Sequence, residues 1–243
     1  MRFLCLHGRG TNSQIMESQI AALRHELDSI HTYDFVEGTI PSPLALGVIR
    51  PLPSSSVHGL NGSPYLELRD FFPSNQTYYD YFSAESADSI IAALDSLAKF
   101  LEVEGPFDGV IGFSIGAGLA ATHLIQQALR YPEKPSPFTC AIFFSAAAPI
   151  DPLALERGEV RLLDPDTHRH QFLLGLPTAH IWGRNDDLWK HRSEMLYAVC
   201  DPKGRGMVLH DEGHAIPGAR AKEALLESVR LIRRTVGRAV MAS

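Results

Sequence analysis

The chain has 243 residues, 45% hydrophobic and 21% charged, with a formal net charge of −6 at pH 7. That length holds one large α/β domain or two small ones, and the composition is that of an ordinary soluble globular protein. The acidic balance, with no basic cluster, excludes a nucleic-acid surface, and no apolar run reaches the ~20 residues that span a bilayer. Four arginines between 230 and 238 are spread along an amphipathic C-terminal segment and read as a solvated face.

Cys5, Cys140 and Cys200 cannot all pair and show no C-x-x-C spacing. Cys5 and Cys140 lie inside apolar runs, where reduced buried thiols are the default. Residues 1–6 are too short for a signal-peptide core. These features predict an intracellular, cytoplasmic protein.

Residues 2–6 form a compact apolar strand that runs into His7-Gly8-Arg9-Gly10-Thr11-Asn12. Thr11 with Gln14 offers a capping box. Met16, Ile20, Leu23, Leu27 and Ile30 then recur at helical spacing, which predicts one amphipathic helix, with a second strand at 31–36. From 37 to 83 the periodicity stops. Prolines and glycines punctuate the stretch, and aromatics crowd its end: Tyr65, Phe71, Phe72, Tyr78, Tyr79, Tyr81 and Phe82. A loop this long inside a compact domain is expected to be functional, so residues 38–83 read as a lid or pocket wall. Ser86 caps a helix that ends at Gly105-Pro106.

Residues 107–121 hold the stretch that organises the rest. Val110 and Ile111 lead into Gly112-Phe113-Ser114-Ile115-Gly116, followed by small residues suited to a packed helix. This is G-x-S-x-G in a strand–turn–helix setting, the nucleophile elbow. Ser114 must sit on a sharp turn, and side chains at 112 or 116 would collide there; Gly118 is expected to let the helix lie close to the sheet. The helix N-terminus puts free N–H groups where an oxyanion forms.

Further strands follow at 139–146, 178–182 and 206–209, with an irregular polar connection at 151–174 and helices at 190–200 and 219–236. Repeats, linkers and a second core are absent, so the chain reads as a single α/β-hydrolase domain, 1–243, with a mostly parallel sheet and helices on both faces.

A serine needs a base, and the base needs an orienting acid, each in a loop just past a strand. The order nucleophile, acid, histidine is met by Ser114, then Asp186 or Asp187 after the strand at 178–182, then His210 or His214 after the last strand. Spacing favours Asp186, with Asp187 left to cap the next helix. Gly213 and Pro217 give His214 a tight loop and make it the preferred base. The backbone N–H groups of Ile115 and Arg9 are the candidate oxyanion donors, with Gly10 as an alternative to Arg9. His7 reads as structural, and the Arg9 side chain faces either an anionic substrate or solvent. His168 and His170 lack the companions of a metal site, so no metal and no cofactor is expected. Phe113, Tyr65, Phe71, Phe72 and Tyr78 are the candidate substrate contacts, forming an apolar acyl pocket.

Leu6-His7-Gly8 with Asn12, Gly105-Pro106-Phe107-Asp108-Gly109 leading to Gly112-Phe113-Ser114, His180-Ile181-Trp182-Gly183 with Asp186, and residues 210–217 together resemble the FSH-type fungal serine hydrolases. Animal members related to the ovarian-cancer-associated hydrolase belong to the same family. The match keeps every motif in order over nearly the whole chain. The resemblance carries the family's triad onto Ser114, Asp186 and His214. Ile115 stands where the family commonly has Gln, and Glu212-Gly213 where it commonly has two glycines; residues 38–82 match poorly. The resemblance also implies thioesterase chemistry beside a polyketide synthase, with an acyl carrier protein as partner.

The expectation is therefore a serine hydrolase that cleaves an acyl thioester or ester. Other readings that keep the same fold are a carboxylesterase on free esters, an acyltransferase, or a binding protein without catalysis.

Overall fold

A computed structural model describes residues 1–27, 30–44, 76–168 and 174–242. In chain order the elements are β1 (Arg2–Leu6), α1 (Ser13–Gln19), α2 (Ala21–Glu26), β2 (Thr32–Val36), β3 (Ile40–Ser42), β4 (Tyr78–Asp80), α3 (Ala87–Glu104), β5 (Gly109–Phe113) and α4 (Ile115–Arg130). There follow β6 (Cys140–Phe144), α5 (Pro152–Leu155), α6 (Pro165–His168), β7 (Thr178–Gly183), α7 (Lys190–Val199), β8 (Arg205–His210) and α8 (Lys222–Ala242).

Six strands form one sheet in the order β2-β1-β5-β6-β7-β8, and every pairing in it is parallel. Strands of such a sheet are covered on both faces, so their residues sort by parity. Leu4, Leu6, Val110, Ala141 and Phe143 pack with Leu94, Leu124 and Leu196 from α3, α4 and α7. Phe3, Cys5, Ile111, Ile142, Phe144 and Ile181 pack with Met16, Leu23, Leu225 and Ile232 from α1, α2 and α8. All strands point one way, and the turns that leave β1, β5, β7 and β8 meet at a single edge of the sheet. Among the described residues, no helix is long and apolar enough to cross a membrane.

Several sequence expectations are corrected. Asn12, not Thr11, caps α1: its Oδ1 accepts from the Ile15 N–H at 2.9 Å, while the Thr11 hydroxyl donates to the Gly8 carbonyl at 2.6 Å. The single first helix is two short ones, broken at Ile20. The break leaves no mark in the hydrophobic period because Ile20 is itself fully buried. Ile30, expected on the apolar face, is exposed. Part of the irregular stretch is an antiparallel pair, β3 with β4, and the 151–174 connection contains the short helices α5 and α6. The last helix runs to Ala242, beyond the expected 236. Gly118 faces the loop at Ala147; the glycine that brings α4 against the sheet is Gly116, where a Cβ would lie 2.5 Å from the Leu6 carbonyl oxygen.

Three buried histidines carry a prediction about acid. Burial pushes His123 and His210 down to about 4 and His180 to about 3. Each is neutral in the fold, whereas an unfolded histidine titrates near 6.5. Between those values the unfolded chain binds more protons, so stability is held above about pH 6.5 and falls as pH drops towards 4. Unfolding at pH 5 should take up about three protons through these groups, read as the slope of denaturant-derived stability against pH.

Candidate active site

Ser114 stands between β5 and α4 with φ 53 and ψ −117, a conformation that L residues rarely adopt. Its backbone is held from both sides: the Ser114 N–H donates to the Phe144 carbonyl at 3.0 Å, and its carbonyl accepts from Ala147 at 2.9 Å. A Cβ on Gly112 would lie 2.5 Å from the Ala117 backbone, so the turn closes only with glycine there. Backbone strain of this kind, fixed by the surrounding structure, lifts the hydroxyl clear of the sheet edge.

Ser114 Oγ lies 3.0 Å from His214 Nε2, and His214 Nδ1 lies 2.6 Å from Asp186 Oδ2. The carboxylate accepts and so keeps the proton on Nδ1, which leaves the Nε2 lone pair to receive the serine proton. Asp186 is only 4% exposed at its side chain, so this contact works at low effective dielectric. Asp187, 82% exposed, instead pairs with Lys190 at 2.7 Å. His210 is buried beneath the loop, where its Nδ1 accepts from the Glu212 N–H at 3.2 Å.

The acid and histidine loops are tied together by a residue that spacing did not single out. The Asn185 side chain donates to the Asp211 carbonyl at 2.8 Å and accepts from the Gly213 N–H at 2.9 Å. Gly183, the last residue of β7, has the Gly213 carbonyl where a Cβ would stand. Spacing carries no sign of this role, because both partners of Asn185 are 26 or 28 positions away.

After β1, the loop from His7 to Asn12 passes beside Ser114. His7 is fully buried. Its Nε2 accepts from the Gly38 N–H at 2.9 Å, so Nδ1 carries the proton and donates to the Gly8 carbonyl at 2.7 Å. Burial holds its pKa below the ordinary value. The N–H of Gly10 donates to Asp80 Oδ1 at 2.8 Å and is spent. Among the described residues nothing accepts from the N–H of Arg9 or of Ile115, the first residue of α4. The Arg9 guanidinium turns to Asp80, 3.5 Å away.

Of the expected substrate contacts, Tyr65, Phe71 and Phe72 lie outside the described residues, as does His170. Tyr78 is half-buried on β4. Phe113 is only 2% exposed, packed under Gly8 and 5.3 Å from the His214 ring, so it supports the imidazole and offers no open face. The exposed aromatic beside His214 is Trp189, 6.2 Å away between ring centroids and 41% exposed. A separate cleft of about 390 Å³ between Leu124, Tyr131, Lys134 and Leu176 lies at the far end of α4, away from Ser114.

A hydroxyl bonded to an imidazole that is oriented by a buried carboxylate, beside two free N–H groups, can attack a carbonyl carbon and stabilise the resulting oxyanion. The comparisons agree with that chemistry. Residues 1–224 match the family described as Serine hydrolase (FSH1). The chain belongs to the FSH1 serine hydrolase family. It is 36% identical over 243 residues to Esterase FPY3 of Fusarium mangiferae, covering 99% of each chain. It is 30% identical over 218 residues to Hydrolase phiM of a fungal species, covering 89% of this chain and 86% of that one.

Among solved structures, a carboxylesterase from Mesorhizobium loti superposes with a TM-score of 0.58 at 14% identity, covering 98% of this chain and 88% of that one. Acyl-protein thioesterase 2 of Zea mays superposes with a TM-score of 0.52 at 19% identity, covering 96% and 93%. At such identities the likeness shows the fold, which is that of the α/β-hydrolases. This FSH1-family chain is thus a serine hydrolase on the α/β-hydrolase fold.

Proposed function

We propose that the chain hydrolyses an acyl thioester or ester through an acyl-enzyme on Ser114, as a single unit of residues 1–243 with residues 38–83 forming the wall of the acyl site. The observation that carries this reading is the continuous contact from Ser114 Oγ through His214 to the buried Asp186, at 3.0 and 2.6 Å. Ser114 Oγ attacks the carbonyl carbon while Nε2 of His214 takes its proton. Asp186 keeps the imidazole in the right tautomer and steadies its charge. The oxyanion is held by the N–H groups of Ile115 and Arg9. His214 then protonates the departing thiol or alcohol. The same nitrogen draws a proton from water for deacylation, and Ser114 is restored.

The expected donor is an acyl chain carried on the thiol of a carrier protein, such as that of a polyketide synthase, met in the cytoplasm. The aromatic residues that end the 38–83 segment support an apolar chain over a small polar ester. The name of the Fusarium mangiferae relative, an esterase, supports a second reading, a carboxylesterase on free oxygen esters.

Hydrolysis of short and long acyl thioesters, side by side with the matching oxygen esters, separates the two readings. Ser114→Ala serves as the blank and should lower kcat by at least ~10³-fold on every substrate turned over. A thioester preference that rises with chain length supports the carrier-bound donor. Equal or better turnover of short oxygen esters replaces it with the carboxylesterase. Absence of Ser114-dependent turnover on either would overturn the acyl-enzyme reading.

A further inference from the structure

We infer that Asp80 is a positioning residue for the oxyanion hole: its carboxylate engages Gly10 and thereby leaves the Arg9 N–H as the free donor beside Ser114. This rests on the acyl-enzyme reading above and assigns a task to a residue outside the Ser–His–Asp relay.

Two consecutive N–H groups, those of Arg9 and Gly10, lie in the loop that leaves β1 for the sheet edge. An oxyanion donor has to be unbonded before the reaction and aimed at one point, because its value comes from needing no reorganisation. Asp80 separates the two. Its Oδ1 accepts from Gly10 at 2.8 Å, which fixes the peptide plane between residues 9 and 10. Its Oδ2 faces Arg9 Nε at 3.5 Å, which holds that half-exposed side chain against β4. Gly10 takes φ 57 to reach this bond, a conformation open to glycine.

The carboxylate is itself well anchored. Asp80 ends β4 opposite Ile40 of β3, and a Cβ on Gly38 would lie 2.6 Å from the Asp80 carbonyl oxygen. One residue earlier, the Tyr79 N–H donates to the Thr11 carbonyl at 2.8 Å. One residue later, the Tyr81 hydroxyl accepts from the His7 N–H at 2.9 Å and donates to the Val36 carbonyl at 2.9 Å. The β3–β4 pair and Tyr81 after it therefore grip the loop at residues 7, 10 and 11, and the Arg9 N–H lies inside that gripped span.

A bare carboxylate bonded to the residue after the Arg9 donor would oppose a developing oxyanion. The Arg9 guanidinium compensates that charge, so the acceptor geometry of Asp80 is what remains useful. That distinction is testable with two substitutions. Asp80→Ala should lower kcat by about 10- to 100-fold, less than the ~10²–10³ that follows loss of a whole oxyanion donor, with KM within about twofold. Asp80→Asn keeps an oxygen for Gly10 and should recover most of the lost kcat.

Amide hydrogen exchange supplies a readout independent of turnover. A peptide spanning residues 7–12 should exchange faster in Asp80→Ala and near the parent rate in Asp80→Asn. A kcat in Asp80→Ala within twofold of the parent, equal losses in both variants, or unchanged exchange would each overturn the assignment. If the parent protein shows the exchange pattern but no Ser114-dependent turnover, the Gly10 clamp stands and the acyl-enzyme reading falls.

Discussion

Asp186→Asn should lower kcat by on the order of 10³ to 10⁴ while leaving KM and the fold nearly unchanged. The two side chains have the same shape, so the 2.6 Å contact with His214 can persist with an amide in place of the carboxylate. What changes is the proton. An amide NH₂ turned towards His214 donates to Nδ1 and drives the imidazole proton onto Nε2, which then faces Ser114 as a donor and cannot accept. An amide oxygen keeps the tautomer but gives little stabilisation to the imidazolium that forms in the transition state. Asp187→Asn is the control. Among the described residues its exposed carboxylate pairs with Lys190, and solvent screens a surface pair of this kind to little net effect, so turnover should stay within twofold. Steady-state kinetics on one chromogenic ester decide the matter. Equal losses in the two variants would remove Asp186 from the relay.

The parts of the site that could be read in the sequence are those whose constraints are local. The elbow needs glycine at 112 for a reason contained within five residues, the Ala117 backbone, and the G-x-S-x-G pattern marks Gly116 as well, although what Gly116 clears is the β1 backbone. The acid and base could be placed because each follows its own apolar strand in a fixed order. Helix entry at residue 12 was harder, since Thr11 and Asn12 are both competent caps. The choice is made by the Gly8 carbonyl, which takes the Thr11 hydroxyl across the loop. The β3–β4 pair was invisible for a related reason. Its strands are three residues long, one contains Pro41, and they meet across the whole 43–77 interval. Asp80 and Asn185 act through bonds to residues 70 and 26 to 28 positions away, and no periodicity records such partners. Phe113 misled for the opposite reason. An aromatic inside the nucleophile motif suggests a pocket wall, yet parity along β5 turns it into the face that holds Ile111 and Phe144.

Gly116→Ala should be damaging out of proportion to its size, because the added methyl has nowhere to go. Its Cβ would lie 2.5 Å from the Leu6 carbonyl oxygen and 2.6 Å from that of His7. Both are backbone atoms of β1 and its exit, and neither can swing aside as a side chain would. Relief requires α4 to move off the sheet, and α4 is buried along most of its length. Overpacking that displaces backbone typically costs about 1–3 kcal/mol and occasionally more; in a chain of this size each kcal/mol lowers Tm by roughly 2–4 °C. The expected Tm loss is therefore about 6–12 °C for a penalty near 3 kcal/mol. Activity should fall further than stability, since a shift of α4 carries the Ile115 N–H away from Arg9 and opens the oxyanion hole even in molecules that stay folded. Gly118→Ala is the comparison: its Cβ would meet the Ala147 methyl at 3.0 Å, and a few tenths of an ångström in that loop absorb it. Thermal melts and kcat of the two variants separate the outcomes. A Gly116→Ala protein with parental Tm and parental kcat would mean that the approach of α4 to β1 does not set the geometry of the elbow.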